Sequence, residues 1–257
     1  MEYLYYFLEK RLMIRSLSII FPVFNEQLRI NNSLNKIKKF IKVSKLKHIE
    51  IIFIDDGSID RTFSIIKNFI SAFKNNKKIR VILLKNYRNF GKGHSLRKGI
   101  LHSRGEWILT ADIDLSVNIN QYQKWFLNSL SQKNYFIYFG SRNHPNSKVQ
   151  KTLSRYLLGQ IFRFLIYFLF KIRFYDTQCG YKLYKSTIAK KIFSKLKDDR
   201  FAHDVEIILI ANFMQILIKE MPVDWVHKNH SKVNILKDAF IMFWDLLMIK
   251  KRFLNKI

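Results

Sequence analysis

Cysteine is nearly absent. Cys179 is the single one in 257 residues, so no intramolecular disulfide can form, and a reducing compartment is expected. Without a CxxC or HxxxH partner it offers no zinc site, and the seven His are scattered. Cys179 therefore reads as a small buried hydrophobe. Long uncharged apolar runs are also missing. The most apolar stretch, LLGQIFRFLIYFLFKIRF at 157–174, is interrupted by Arg163, Lys171 and Arg173, which excludes an ordinary spanning helix and leaves an interfacial one open. The opening MEYLYYFLEKRLMIR has a short apolar core, an acid at position 2 and no small-residue cleavage site, so it does not read as a signal peptide. Acids are scarce: 19 Asp plus Glu face 46 Lys plus Arg, for a net charge of +27 and a pI near 10.1. Such a balance attracts nucleic acid, anionic lipid headgroups or phosphorylated substrates. Lys, Ile, Asn and Phe are all abundant, as in AT-rich genomes, and we assign about half the excess charge to that bias.

What is present is a globular chain. It is 48% apolar and 15% aromatic, and long enough for one large domain with a real core. Short β-like runs recur: LSIIF at 17–21, IEIIFI at 49–54, IRVILL at 79–84, EWILTA at 106–111 and NYFIYF at 134–139. Between the earlier ones lie helical spacings such as Leu34, Ile37 and Ile41, or Phe63, Ile66, Ile70 and Phe73. Strand and helix in alternation predict an α/β fold, a mostly parallel sheet covered by helices on both faces. In such sheets, ligands bind outside the carboxyl ends of the strands.

The residues after each run test that rule. They are PVFNE with Pro22 and Glu26, DDGSID with Asp55, Asp56 and Asp60, KNYRNFGKG, then Asp112 and Asp114, then GSR with Arg142. Five of the 12 Asp collect there. A D-x-D spacing by itself arises by chance in about half of chains with this many Asp, so its place at a strand end is what informs. The pair is either a metal site or a helix cap. GKGHS at 91–95 lacks the spacing of a P-loop or of G-x-G-x-x-G.

SIIFPVFNE, IIFIDDGSIDRT, NFGKGHSLRKGI, ADIDLS, GSRNH, DTQCGYKLYK and FAHDVEIILIA resemble, in order and interval, the inverting family 2 glycosyltransferases of GT-A (Rossmann-like) fold. Within that family the match is closest to the dolichyl-phosphate β-glucosyltransferases and related polyprenyl-phosphate hexose synthases. It runs from about Ser16 to Lys232, and the Q-x-x-R-W motif of processive polysaccharide synthases is absent. The resemblance implies Mg²⁺ or Mn²⁺ on Asp112 and Asp114, with Asp114 catalytic, hard oxygens being suited to such ions. Where the mannose synthases often carry a Gln, this chain has Ser116. It places Pro22, Phe24, Glu26, Asp55, Asp56 and Asp112 around a nucleotide-sugar donor. Lys92 is expected near the pyrophosphate, at a helix N-terminus facing it. Arg142, Arg155 and Lys232 would hold the acceptor phosphate, with a family Gly replaced by His230 in HSKV. The resemblance counts Asp176 and Arg142 with Asp114 as catalytic; Asp176, Asp204 or Glu206 would orient acceptor or sugar, one of them becoming a base for a hydroxyl acceptor, and Asp204 and Glu206 equally suit ion pairs with nearby Lys.

The implied reaction moves a hexose, glucose from UDP-glucose in the first instance, to a polyprenyl phosphate with inversion. Such an acceptor needs no dedicated base, because the second pKa of a phosphate monoester is about 6. The alternatives are transfer to a glycan hydroxyl, which requires a base, and a basic nucleic-acid-binding module. The latter leaves the strand-end acids unexplained and lacks RNP, KH and zinc-finger signatures. The expected organisation is an N-terminal amphipathic extension (1–15), a GT-A domain (16–235) with an interfacial helix at about 153–174, and a basic amphipathic helix (236–257). Peripheral attachment to the cytoplasmic face of a membrane follows from these helices.

Overall fold

The computed structural model describes residues 14–74, 76–128, 135–149, 153–227 and 235–254, with backbone alone at 126–128, 153–158, 235–240 and 254. Most of the expected N-terminal extension, Lys232 and the side chain of Arg155 thus lie outside the described residues. The elements follow in the order β1 (Ser16–Val23), α1 (Ile30–Val43), β2 (His48–Asp55), α2 (Thr62–Ser71), β3 (Ile79–Lys85), α3 (Lys92–His102), β4 (Trp107–Thr110), α4 (Gln121–Asn128), β5 (Ile137–Ser141), β6 (Lys148–Val149), α5 (Leu153–Phe170), β7 (Lys182–Lys185), α6 (Ser186–Lys195), α7 (His203–Phe213), β8 (Ile218–Pro222), β9 (Asp224–Trp225) and α8 (Ile235–Leu254).

The continuous apolar strands behave as expected for a sheet buried on both faces. Along β1, Leu17, Ile19 and Phe21 enter one core layer with Ile30, Leu34, Ile37, Phe40, Ile66 and Trp125. Ile20 points into the other, with Leu96, Ile100, Ile192, Phe193, Ile207, Leu246 and Ile249. This period of two sends alternate residues to opposite helical layers. The C-terminal helix α8 therefore shares the main core through Leu246 and Ile249.

Seven strands form one sheet in the order β3-β2-β1-β4-β7-β5-β8. β1 pairs in parallel with β2 and β4, β2 with β3, and β5 with β8. β7 alone runs against its neighbours β4 and β5. β6 and β9 make a separate parallel pair. In register, Val23 lies beside Asp55 and Asp55 beside Lys85, so the polar strand ends converge on one edge. No helix of the described residues is long and apolar enough to cross a membrane.

Candidate active site

On the β1–β2 side, Pro22 and Val23 pair with Ile54 and Asp55, and Phe24 stands next, one-third exposed. Asp55 is fully buried. Its Oδ1 accepts the Ser58 N–H at 3.2 Å, and its Oδ2 has no hydrogen-bond partner. A buried carboxylate oxygen left open costs free energy unless a ligand donates to it, which fits a base or ribose donor. Asp56 differs. Its Oδ1 accepts Asn86 Nδ2 at 2.7 Å and the Phe90 N–H at 3.1 Å, and its Oδ2 accepts the Gly91 N–H at 2.8 Å. It shapes the loop before α3. Glu26 accepts both Nε and Nη2 of Arg29, the latter at 2.7 Å, and its own N–H donates to Thr62 Oγ1 at 2.6 Å.

The D-x-D turn leaves β4 with Leu115 at φ 51°. Asp114 Oδ1 accepts the Ser116 N–H at 2.9 Å, an Asx-type closure that fixes its side chain. Asp112 is exposed to the cleft and receives Lys92 Nζ on Oδ1 at 2.6 Å. The protein packed around its carboxyl group strips part of its water and opposes the charge on Asp112, but the Lys92 ammonium outweighs this and holds the carboxyl below its usual range. Lys92 is likewise opposed by burial and raised by Asp112 and Asp204. The N-terminus of α3 is otherwise committed. Gly93 and His94 N–H donate to the carbonyls of Arg200 and Asp199 at 3.2 and 3.0 Å. A Cβ on Gly93 would come within 2.5 Å of the Asp198 carbonyl oxygen. The expected helix-terminus seat for a pyrophosphate is thus corrected: the Gly93 and His94 N–H groups are spent on the carbonyls of Arg200 and Asp199, and it is the Lys92 side chain that reaches Asp112.

Gly180 packs flat on Asp112, for a Cβ there would lie 2.4 Å from Asp112 Oδ2. The two residues share a recess with Ser116, Arg142, Cys179 and Trp225. Cys179 is buried, and burial pushes its thiol up to about 11, which keeps it protonated and inert, as the sequence suggested.

Arg142, at the end of β5, grips Asp176 as a fork: Nε donates to Oδ2 at 2.6 Å and Nη2 to Oδ1 at 3.0 Å. The Arg142 and Gln178 N–H groups add 3.0 Å bonds to Oδ2 and Oδ1. Burial works against the Asp176 charge, yet Arg142 holds its carboxyl below the usual range. Four donors leave Asp176 no capacity as a base. The geometry expected of a free catalytic carboxylate is thus not what is found: its oxygens are spent on holding Arg142 and the neighbouring backbone. Glu220 on β8, a residue the sequence did not single out, braces this pair by accepting the Tyr175 and Asp176 N–H groups at 2.9 and 3.0 Å.

Beneath the cleft, Lys182 Nζ donates to Asp204 Oδ1 at 2.5 Å, with both residues buried. Burial opposes the Asp204 charge, while His203 and Lys182 keep its carboxyl well below the usual range. Glu206 Oε2 accepts the Lys197 and Asp198 N–H groups at 3.1 and 2.6 Å, and its Oε1 lies 3.4 Å from Arg252 on α8. The ion-pair reading of Asp204 and Glu206 is therefore the one realised. Among the described residues no cluster of three His, Cys, Asp or Glu could hold a metal ion unaided. The hard oxygens of Asp112 and Asp114 are of the kind that Mg²⁺ or Mn²⁺ takes, with its other positions left to phosphate and water.

Comparison with known proteins places this geometry. The glycosyl transferase family 2 model matches residues 18–193. The human protein named dolichyl-phosphate beta-glucosyltransferase is 35% identical over 257 residues, covering 94% of this chain and 76% of its own. Its Saccharomyces cerevisiae namesake is 32% identical over 253 residues, covering 93% and 75%. A Mycobacterium tuberculosis glucosyl-3-phosphoglycerate synthase, solved with Mn²⁺, UDP and glucosyl-3-phosphoglycerate, shares the fold at a TM-score of 0.62 and 15% identity, covering 94% of this chain and 81% of that one. The site at the strand ends and these matches lead to one conclusion: the chain belongs to glycosyl transferase family 2 and is a glycosyltransferase.

Proposed function

We propose that this enzyme transfers glucose from UDP-glucose to a dolichyl or other polyprenyl phosphate, with inversion at the sugar C1. The observation that carries the reading is the recess lined by both Asp112 and Arg142, the latter held from behind by its fork on Asp176. A guanidinium suits a phosphate monoester, and the carboxylate beside it is fully engaged. A hydroxyl acceptor would need a base there; a phosphate dianion attacks as it stands. The names of the relatives support glucose and dolichyl phosphate as the two substrates.

Each residue then has one task. Asp55 takes a hydrogen bond from base or ribose through its open oxygen, with Pro22, Phe24 and Glu26 lining the same side. A divalent ion on Asp112 and Asp114 would draw off charge that builds on the leaving diphosphate. Arg142 binds the acceptor phosphate and turns it toward C1, while Asp176 fixes the plane of the guanidinium. Arg155 and Lys232 are assigned to the same phosphate.

Membrane attachment belongs to this proposal. On α5, Ile166 faces the core, with Phe162, Leu165 and Leu169 packed against it, yet Ile161, Phe164 and Phe168 on the outer side are each about two-thirds exposed. Trp244 and Met248 on α8 are also exposed. Lys171 and Arg173 stack over Tyr167 at the end of α5. Apolar faces with basic, aromatic rims suit the headgroup region at the cytoplasmic face.

The test is radiolabelled glucose from UDP-glucose, Mn²⁺ or Mg²⁺, and extracts of dolichyl or undecaprenyl phosphate, with Asp114→Ala as control. The expected outcome is label in the lipid phase, reduced about a thousandfold in the variant. Metal-dependent hydrolysis of UDP-glucose without lipid label would move the acceptor to a glycan hydroxyl.

A further inference from the structure

Each carboxylate of the D-x-D pair already faces a cation, and the two cations come from the starts of different helices. Lys92 Nζ lies 2.6 Å from Asp112 Oδ1, and Arg29 Nη1 lies 3.9 Å from Asp114 Oδ2. Arg29 was not singled out in the sequence. It stands at the start of α1, tied to Glu26 by two hydrogen bonds, and feels the charge of both Asp114 and Asp112. A divalent ion arriving alone would meet a positive group beside each carboxylate, Lys92 bonded to Asp112 and Arg29, already bonded to Glu26, at the edge of Asp114. It would also find no third carboxylate, thiolate or imidazole among the described residues.

Building on the donor site described above, we propose that Arg29 and Lys92 are place-holders for the divalent ion. They neutralise Asp114 and Asp112 until the ion enters together with a nucleoside diphosphate, and then turn their charge to the diphosphate oxygens. The anchors around them allow this exchange. The backbone at Lys92 is held by the N–H bonds of Gly93 and His94 and by the grip of Asp56 on Gly91. Only the flexible four-carbon stem has to swing. Arg29 keeps Glu26 as its fixed partner and needs a small shift to leave Asp114. The carboxylates thus pass from monovalent to divalent partners only when an anion is present to receive the displaced cations. Ion and nucleotide are then coupled through their differential affinity for the two arrangements.

The experiment measures free Mn²⁺ by electron paramagnetic resonance in titrations of the full chain, with and without UDP. It uses the wild type, Lys92→Met and Lys92→Arg. In the wild type, UDP should tighten Mn²⁺ by about tenfold or more, within the usual span of coupling between two ligands. Lys92→Met should bind Mn²⁺ alone more tightly, by about tenfold, and lose most of the UDP enhancement. Lys92→Arg, which keeps the charge, should retain the coupling and shows that the change in Lys92→Met is not a folding defect. Unchanged or weaker Mn²⁺ binding by Lys92→Met without UDP, at wild-type coupling, overturns the place-holder role while the ion site stands. Absence of Mn²⁺ binding by the wild type even with UDP overturns the ion site itself and the place-holders with it.

Discussion

The two sides of the cleft use the same kind of group, a carboxylate beside a cation, in opposite ways. On the donor side, Asp112 is exposed and carries one lysine, and Asp114 sees Arg29 across 3.9 Å. On the acceptor side, Asp176 is buried under four donors, and beneath the cleft Asp204 is buried against Lys182. Exposed single pairs are weak and exchangeable, whereas buried multiply bonded ones are stiff. In the proposed reaction the donor side accepts and releases an ion and a nucleotide each turnover, and the acceptor side holds one guanidinium still.

Adding a methyl group at the border should break this difference most severely. Gly180→Ala places a Cβ 2.4 Å from Asp112 Oδ2, so the carboxylate must leave its place. Transfer should fall by at least about a hundredfold, as expected when reacting groups are misplaced by about 1 Å. The melting temperature should move little. Collapse of the fold in circular dichroism, or activity within threefold of wild type, would refute the role given to that contact.

Asp176→Asn tests the acceptor side. One oxygen and the charge are lost, so the fork on Arg142 loosens. The specificity constant for the lipid phosphate should fall about thirtyfold, equivalent to a charge-assisted hydrogen bond of about 2 kcal/mol, while KM for UDP-glucose stays within about twofold. The pH profile should keep its shape from 5 to 8, since Asp176 is held below the usual carboxylate range and does not titrate there. Loss of the acidic limb in the variant would reinstate Asp176 as a general base.

The donor side was largely legible because its chemistry sits directly after strands whose apolar runs are unmistakable. Asp55, Asp112 and Asp114 each stand at the end of such a run, and the parallel pairing of β1 with β2 and β4 brings those ends together. β7, KLYK, and β8, IKEMP, carry too much charge to show as buried strands. Lys182 is buried because Asp204, 22 residues on, neutralises it; no local pattern announces such a pair. The same distance effect concealed Glu220, which braces Tyr175 and Asp176 from another strand, and turned Asp176 from an expected reactant into a clamp.

Asp204→Asn should leave Lys182 buried and half-paired. Breaking a buried pair costs about 3–5 kcal/mol, a loss of about 10 °C in melting temperature for a chain of this size. Because the folded pKa of Asp204 is depressed, the stabilisation is present above the unfolded value of about 3.9 and is lost as pH falls below it. Wild type and variant should therefore converge on acidification below about pH 4, and a constant gap down to pH 2 would contradict the pairing.

Asp198 gives the smallest effect and the opposite sign. It is buried, and burial together with Asp245 on α8 pushes its carboxyl up to about 6. The neighbourhood also contains His203 and Glu206 on α7 and Arg200. Asp245 itself is raised by burial, against the pull of Arg200 and Arg252, and its Oδ2 has no partner. A raised folded pKa means the fold favours protonated Asp198. That contribution is complete below about pH 4 and is lost as pH rises through about 6. Asp198→Asn keeps an acceptor for the Arg200 N–H, which now bonds Oδ1 at 3.0 Å, and removes the charge. The variant should gain about 1 kcal/mol at pH 8, near 3 °C in melting temperature, and nothing at pH 4. A gain that is equal at both pH values would mean the carboxyl is not strained by its neighbours. A loss at pH 8 would mean that its charge, like that of Asp204, is held by a cation.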